Sequence, residues 1–217
     1  MDEMEKRTFK DEAYAGIAGI AKAFSTAGRL EIIDLLANGE KTVEQVAVQT
    51  NLSVANASRH LQILKRAHLV KRRREGNYIY YRLNGRRAYA VWQALRTLGL
   101  EEEPAMVHLI RQFREGMGSE EAVVYRNLPR RADFCLLDVR PQEEYEAGHL
   151  PGALSVPISE LEEHLEELPK DKIIITYCRG SFCTYADEAV RLLRNSGFEA
   201  LRLEENIMDV NETNRVK

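Results

Sequence analysis

Apolar residues recur at helical spacing through the first half of the chain. Between Phe9 and Phe24 they fall at Tyr14, Ile17, Ala21 and Phe24, with Ile20 beside them, and this spacing predicts a helix. A second helix over Ala27–Leu36 stops at Asn38-Gly39. Thr42 with Gln45 three residues on forms a capping box that starts a third, running to about Thr50. Ser53 caps a fourth, whose apolar stripe Val54, Ala57, Leu61 and Leu64 leaves Asn56, Arg59, Gln62 and Arg66 on the opposite face. From Leu69 to Leu83 the pattern becomes two strand-like runs around Gly76-Asn77, a hairpin with the basic residues Lys71, Arg72, Arg73 and Arg74 in its first strand. Helical spacing then returns over Arg87–Leu98, with Ala88, Val91, Trp92, Leu95 and Leu98 on one stripe, and over Glu101–Gly116.

The second half reads differently. Phe134–Arg140 and Ile173–Thr176 are short apolar runs of the kind that form buried strands, and Phe198–Leu203 is a last strand. Ser159–Leu168 reads as an acidic helix and Tyr185–Asn195 as an amphipathic one. Strands alternating with helices imply a parallel sheet flanked by helices. Gly116-Met117-Gly118-Ser119 punctuates the chain between the halves. The expected organisation is a mostly α domain over residues 1–100, a linker helix over 101–118, and an α/β domain over 119–217.

Two helices joined by a short turn, the second presenting amide, hydroxyl and guanidinium groups, form a helix-turn-helix. Ser53, Asn56, Ser58, Arg59 and Gln62 are the candidates to reach base edges, and the hairpin's Lys71, Arg72, Arg73, Arg74 and Tyr78 the candidates for the backbone. Helix plus hairpin resembles a winged helix-turn-helix, and Ser58-x-His60-Leu61-x-x-Leu64-x-x-Ala67-x-Leu69-Val70 resembles the ArsR family of repressors. At position 68 His replaces the family's usual Gly. The resemblance implies double-stranded operator DNA as partner and a homodimer, with Tyr14, Ile17 and Phe24 of the first helix and Val91, Trp92 and Leu95 of the later one at its interface. Members of that family often bind a metal through cysteines or His–carboxylate pairs. Here no cysteine precedes Cys135 and Arg87–Leu98 lacks His, Asp and Glu, so no metal site is expected.

Charge supports this division. Residues 1–100 carry 17 Lys/Arg against 10 Asp/Glu, a net +7, and residues 101–217 carry 14 against 24, a net −10. A basic first half fits a polyanionic partner. At 44% hydrophobic and 30% charged the chain can fill two cores. It has no run apolar enough to span a bilayer and no signal-peptide pattern, which leads to the expectation of a cytoplasmic protein without a membrane partner. Its three cysteines, all after residue 130, read as reduced thiols.

Candidate chemistry centres on Cys178, where the strand breaks into Arg179-Gly180-Ser181-Phe182-Cys183-Thr184 before a helix. Loop N–H groups, the helix start and Arg179 all favour thiolate, so Cys178 is expected to be the most reactive thiol. Upstream, Asp138-Val139-Arg140 and Glu144-Tyr145-x-x-Gly148-His149-Leu150-Pro151-Gly152-Ala153 resemble the first signature of the rhodanese sulfurtransferases. The resemblance implies a rhodanese-like domain with Cys178 as nucleophile, Arg179–Thr184 as its loop, and Asp138 and Arg140 in the site. It implies no cofactor beyond a transient cysteine persulfide, and a sulfur donor such as thiosulfate or polysulfide. The family's closing Gly-Gly and tryptophan are absent; Glu204-Glu205-Asn206-Ile207-Met208 stands there instead. A cysteine phosphatase needs arginine where Thr184 lies, which argues against that chemistry. Cys183 is near enough to resolve an oxidised or persulfidated Cys178, and Cys135, inside a strand, is structural.

Two functions of different class follow. One is a transcriptional regulator whose rhodanese domain carries or senses sulfane sulfur or oxidant on Cys178. The alternative is an active thiosulfate-type sulfurtransferase with DNA binding secondary. The first is preferred, because a DNA-binding domain without an effector site needs an input.

Overall fold

The computed structural model describes residues 2–128 and 133–213, and the side chains of these up to residue 210. Residues 1, 129–132 and 214–217 of the expected domain spans lie outside it. The chain divides into two compact units, Met1–Thr97 and Leu98–Lys217.

In the first unit, α1 (Glu3–Ala23) starts at a capping box formed by Asp2 and Glu5. It is followed by α2 (Ala27–Leu36), β1 (Lys41–Thr42), α3 (Val43–Gln49) and α4 (Val54–Arg66). The Thr42 box is present, with Gln45 N donating to Thr42 Oγ1 at 3.3 Å and Thr42 N to Gln45 Oε1 at 2.9 Å. Ser53 Oγ accepts from Asn56 N at 3.2 Å and starts α4. The turn between α3 and α4 passes through Asn51 at φ 51°, a left-handed conformation that asparagine tolerates. Ile32, Ile33, Val46, Leu61 and Leu64 close the core beneath these helices. The hairpin of β2 (Val70–Glu75) and β3 (Tyr78–Leu83) is antiparallel, with β1 on its other side in the order β1-β3-β2. Gly76 at φ 57° makes its two-residue turn.

α5 (Arg86–Glu102) follows the hairpin. Two residues expected at a subunit interface lie in the core instead. Phe24 and Trp92 are each 6% exposed, and Trp92 Nε1 donates to Asp34 Oδ1 at 2.8 Å. An indole that finds its hydrogen-bond partner inside its own unit is a core residue. Buried Arg29 caps the end of α1, its Nε donating to Ala23 O at 2.6 Å and its Nη2 to Lys22 O at 2.8 Å.

The expected linker helix is α6 (Pro104–Met117), which belongs to the second unit and packs on α8 (Tyr185–Asn195). Pro104 at its first turn separates it from α5. The sheet holds five parallel strands in the order β4-β8-β7-β5-β6: β4 (Ala122–Val123), β5 (Phe134–Asp138), β6 (Leu154–Ser155), β7 (Ile173–Tyr177) and β8 (Ala200–Leu203). Helices α7 (Gln142–Ala147) and α9 (Ile207–Thr213) complete the unit. Leu137, Ile174, Ala189, Val190 and Leu193 fill one face of the sheet, and Leu136, Leu150, Ile175, Tyr177 and Val210 the other.

Ser159–Leu168 is not the expected α-helix. It forms turns and a 3-10 segment at Leu165–Glu167. Leu161, Leu165 and Leu168 have helical spacing, but Glu162, Glu163, Glu166 and Glu167 would stack like charges along such a helix, which the turns avoid. Leu161 and Leu168 still reach the core, at 0% and 4% exposure.

Candidate functional site

β7 lies in the middle of the sheet, so Cys178 emerges at the carboxyl end between its neighbours β8 and β5. This is where open α/β sheets place their sites. Cys178 is 2% exposed, and its S–H donates to the Cys183 carbonyl at 3.4 Å. Cys183 N donates back across the loop to Gly180 O at 3.1 Å. Gly180 adopts φ 108°, and a Cβ there would sit 3.2 Å from Asn206 Nδ2. Glycine is therefore required at this position twice over, by conformation and by space.

Asn206 is the residue that sequence reasoning missed. It is fully buried, its Nδ2 donates to Arg179 O at 3.1 Å, and its Oδ1 accepts from Asp209 N at 2.9 Å. One side chain thus holds the loop and caps α9. Asn followed by Asp three residues on carries a cap signal, but nothing local links it to Arg179, 27 residues earlier. The segment that replaces the family's Gly-Gly and tryptophan packs on the loop after all.

The two loop thiols differ, in the opposite sense to expectation. Burial pushes the Cys178 thiol well above its usual range, and neighbouring Cys183 adds to this, outweighing the N–H groups of Ala186 and Gly180. Cys183 is lowered, first by a hydrogen bond from Cys178 and then, against burial, by the field of Arg179. Cys183 is also the less buried of the two. Cys135 is buried in β5, and burial raises its thiol.

Arg179 does not face outward. It folds onto Glu144 of α7, its Nε donating to Oε2 at 2.9 Å and its Nη2 to Oε1 at 2.6 Å, with Tyr185 at 5.2 Å from ring centroid to guanidinium. Glu144 belongs to the second half of the rhodanese-like signature, and this pairing ties that motif to the loop. Asp138 and Arg140, both buried, pair at 2.9 and 2.6 Å, and Arg140 Nη2 donates to Gly148 O at 2.8 Å. These bonds brace the connection from β5 through α7. The pair supports the site's frame.

A buried polar network runs from the loop to α6. Arg114 of α6 donates to Ser181 O at 3.4 Å and pairs with Glu204 at 3.4 Å. Asp187 of α8 accepts from Ser119 Oγ at 2.7 Å and lies 3.5 Å from Arg202 Nε. Arg202 also pairs with Glu204. Thr184 Oγ1 donates to Glu188 at 2.7 Å, and Phe182 is 41% exposed.

In the first unit, Ser53, Asn56, Arg59 and Gln62 of α4 are exposed and Ser58 is half-buried. Lys71, Arg72, Arg74 and Tyr78 are exposed on the hairpin. Arg73 is engaged elsewhere: its Nε donates to both oxygens of Glu40 at 2.8 Å, and its guanidinium lies 4.5 Å from the centroid of Tyr80. His60 packs against Gly28, where a Cβ would meet its Nε2 at 3.4 Å, and burial lowers its pKa. Among the described residues no group of three or more His, Cys, Asp or Glu could hold a metal ion, and no helix is long and apolar enough to cross a membrane.

Fold and loop together define a DNA-binding regulator of the winged helix-turn-helix class joined to a rhodanese-like domain. Residues 26–72 match the family of bacterial regulatory proteins of arsR type, and residues 120–211 match the rhodanese-like domain. The chain is 39% identical over 197 residues to the HTH-type transcriptional regulator Rv0324 of Mycobacterium tuberculosis, which covers 89% of this chain and 86% of that protein. Over 51 residues it is 35% identical to the thiosulfate sulfurtransferase GlpE of Coxiella burnetii, covering 24% of this chain and 48% of the enzyme. The solution structure of the homodimeric winged helix-turn-helix DNA-binding domain of Mb0332 from Mycobacterium bovis is similar at a TM-score of 0.41 and 36% identity, covering 43% of this chain and 87% of that one. The chain belongs to the ArsR-type transcriptional regulators fused to a rhodanese-like domain.

Proposed function

We propose that the chain binds operator DNA as a homodimer and that its rhodanese-like domain reports sulfane sulfur or oxidant through Cys178 and Cys183. The observation that carries this reading is the thiol pair itself. Two thiols share one loop, with the Cys178 S–H donating to Cys183 O at 3.4 Å, and that loop is joined to α6 through Arg114 and Ser181 O. Adding sulfur to Cys178, or joining it to Cys183, takes away the Cys178 S–H that donates to Cys183 O and so removes one of the two bonds that close the native loop. A covalent change therefore becomes a change of loop shape.

Exposed groups on α4 and β2 support the DNA part: Asn56, Arg59 and Gln62 for base edges, and Lys71, Arg72 and Arg74 for phosphates. Dimerisation is supported by α1, whose residues 2–22 are all exposed although Phe9, Tyr14, Ile17 and Ile20 are large and apolar. Val91, Leu95 and Leu98 of α5 add 44%, 42% and 56% exposed apolar side chains. A basic first unit in an ArsR-type regulator accounts for the +7 charge of residues 1–100.

The test is operator affinity of the full chain before and after polysulfide or peroxide, for wild type and Cys178→Ser. A regulatory loop requires a coupling of about 1–3 kcal/mol between its two states, seen as a roughly 5- to 150-fold change in affinity. Cys178→Ser should abolish that change. If the variant responds as wild type does, the domain is instead a sulfurtransferase carried alongside a regulator, and high cyanide-dependent turnover from thiosulfate would identify it as one.

A further inference from the structure

Burial works against a thiolate at Cys178, so whatever favours one has to come from donors aimed at its sulfur. The backbone N–H groups of Gly180 and Ala186 are such donors. Ala186 lies in the first turn of α8, where the helix fixes the direction of its N–H. Gly180 has no such support. It stands in the loop at φ 108°, and glycine enters positive and negative φ about equally, so the Arg179–Gly180 peptide can turn over at little cost. A trans peptide is planar, and its C=O and N–H point in opposite directions. Turning it over would therefore exchange an N–H at the sulfur for a carbonyl oxygen. Asn206 opposes this. Its Nδ2 donates to Arg179 O at 3.1 Å, and its side chain lies against Gly180, where an added Cβ would come within 3.4 Å of Asn206 Cβ. The amide is itself held: it is fully buried, Oδ1 accepts from Asp209 N at 2.9 Å, and Asn206 N donates to Asp209 Oδ2 at 3.4 Å. With oxygen on an N–H and nitrogen on a C=O, only one orientation of the amide satisfies both ends.

We propose that Asn206 is a positioning residue for sulfur transfer at Cys178: by holding Arg179 O it keeps the Gly180 N–H on the sulfur, where that N–H stabilises first the thiolate and then the persulfide. This rests on reading Cys178 as the thiol that carries sulfur, and it names what prepares that thiol. In the step concerned, the Cys178 thiolate attacks the outer sulfur of thiosulfate. The S–S bond breaks with its electron pair on the departing sulfite, and Cys178 becomes Cys–S–S⁻. With polysulfide the same attack releases a polysulfide one sulfur shorter. The cysteine is negative at both ends of the step, so one fixed N–H serves both. A carbonyl oxygen in its place would repel both. Asn206 acts through the peptide and leaves the chemistry to Cys178. It also lies in Glu204–Met208, which stands where the resembled family closes with Gly-Gly and a tryptophan. The loop is thus steadied by this chain's own residues at the place where it departs from that pattern.

The experiment follows sulfur mass on Cys178 of the full-length chain, with Cys183→Ser throughout so that the added sulfur stays there. Loading from thiosulfate and from polysulfide is timed across a range of pH, and operator affinity is measured on the same samples. Asn206→Ser keeps an oxygen that can cap α9 but is too short to reach Arg179 O, and Asn206→Asp keeps the size and the cap but has no donor once ionised. Both should load at least about tenfold more slowly at neutral pH, with the midpoint of the pH profile about one unit higher, the size of one lost hydrogen bond to an ion. Agreement between a neutral and a charged replacement assigns the effect to the missing donor. Asp209→Ala is the comparison, since it removes the carboxylate on Asn206 N and keeps the amide on the loop. It should lower the urea midpoint and still load at the parent's rate. A parent profile in either Asn206 variant, or losses of loading in all three variants that track their urea midpoints, would overturn the proposal and leave Cys178 as the sulfur carrier. Loading that leaves operator affinity unchanged would sink the sensor reading while the role of Asn206 stands. A parent that gains no sulfur on Cys178 from either donor removes both.

Discussion

At the residue scale, the cysteine loop turns on a competition that its sequence states only in part. Loop N–H groups, a helix start and an adjacent arginine favour thiolate at Cys178, and these were legible because they are local. Burial and the position of Cys183 are tertiary, and they win. The pH dependence of alkylation checks this order. Because Cys183 is lowered, its thiolate is present above a midpoint below the ordinary thiol value of about 8.5, and its labelling by iodoacetamide should fall only as pH drops through that lower midpoint. Cys178→Ala removes the S–H donor and should move the midpoint up. Mass spectrometry that found Cys178 alkylated before Cys183 would contradict the assignment. A second prediction concerns His68, which adopts φ 58° between α4 and β2, where the resembled family has glycine. A left-handed non-glycine residue costs about 1 kcal/mol, so His68→Gly should raise the unfolding free energy by about that amount in a urea titration. An unchanged midpoint would mean that the imidazole makes up the difference.

Elements were legible where one rule governs them. The Thr42 box, the Ser53 cap, the Gly76 turn and the Tyr185–Asn195 helix stand where spacing and caps put them. Ser159–Leu168 was not legible, because leucine spacing suits a helix and the charge pattern does not. The two-residue β4 has too short a pattern to register, and its pairing with β8 lies 80 residues along the chain. On the operator-binding reading, the hairpin separates its arginines. Arg73 is occupied by Glu40, so Arg73→Ala should leave the slope of log affinity against log salt nearly unchanged, whereas Arg72→Ala and Arg74→Ala should each flatten it by about one unit. Equal slopes for all three would mean that Arg73 leaves Glu40 for a phosphate. Arg59→Ala, on α4, should instead relax sequence discrimination, costing about 1–3 kcal/mol at one base pair.

For the whole molecule, the apolar stripes of α1 and α5 raise a question that sequence alone could not divide: which members face the chain's own core and which face a partner. Helical spacing places Phe24 with Tyr14 and Ile17, and Trp92 with Val91 and Leu95, yet the structure sends the first of each group inward, where Arg29 caps α1 and Asp34 receives the indole. The residues left outside are therefore a smaller and sharper set. An amphipathic helix draws its stability chiefly from packing, and α1 has its apolar side in water throughout residues 2–22. A second copy supplies the missing surface under the homodimer reading, and two-fold symmetry would then give two recognition helices set for a palindromic site. Ile17→Glu puts a charge into that surface without touching Phe24, Trp92 or the core. It should convert the protein to a monomer in sedimentation equilibrium at micromolar concentration while leaving the near-ultraviolet dichroism of the buried Trp92 unchanged. Operator affinity should fall with it, since one half-site replaces two. A dimeric Ile17→Glu protein, or a wild-type chain that sediments as a monomer, would move the interface off α1 and leave its exposed apolar face to another partner.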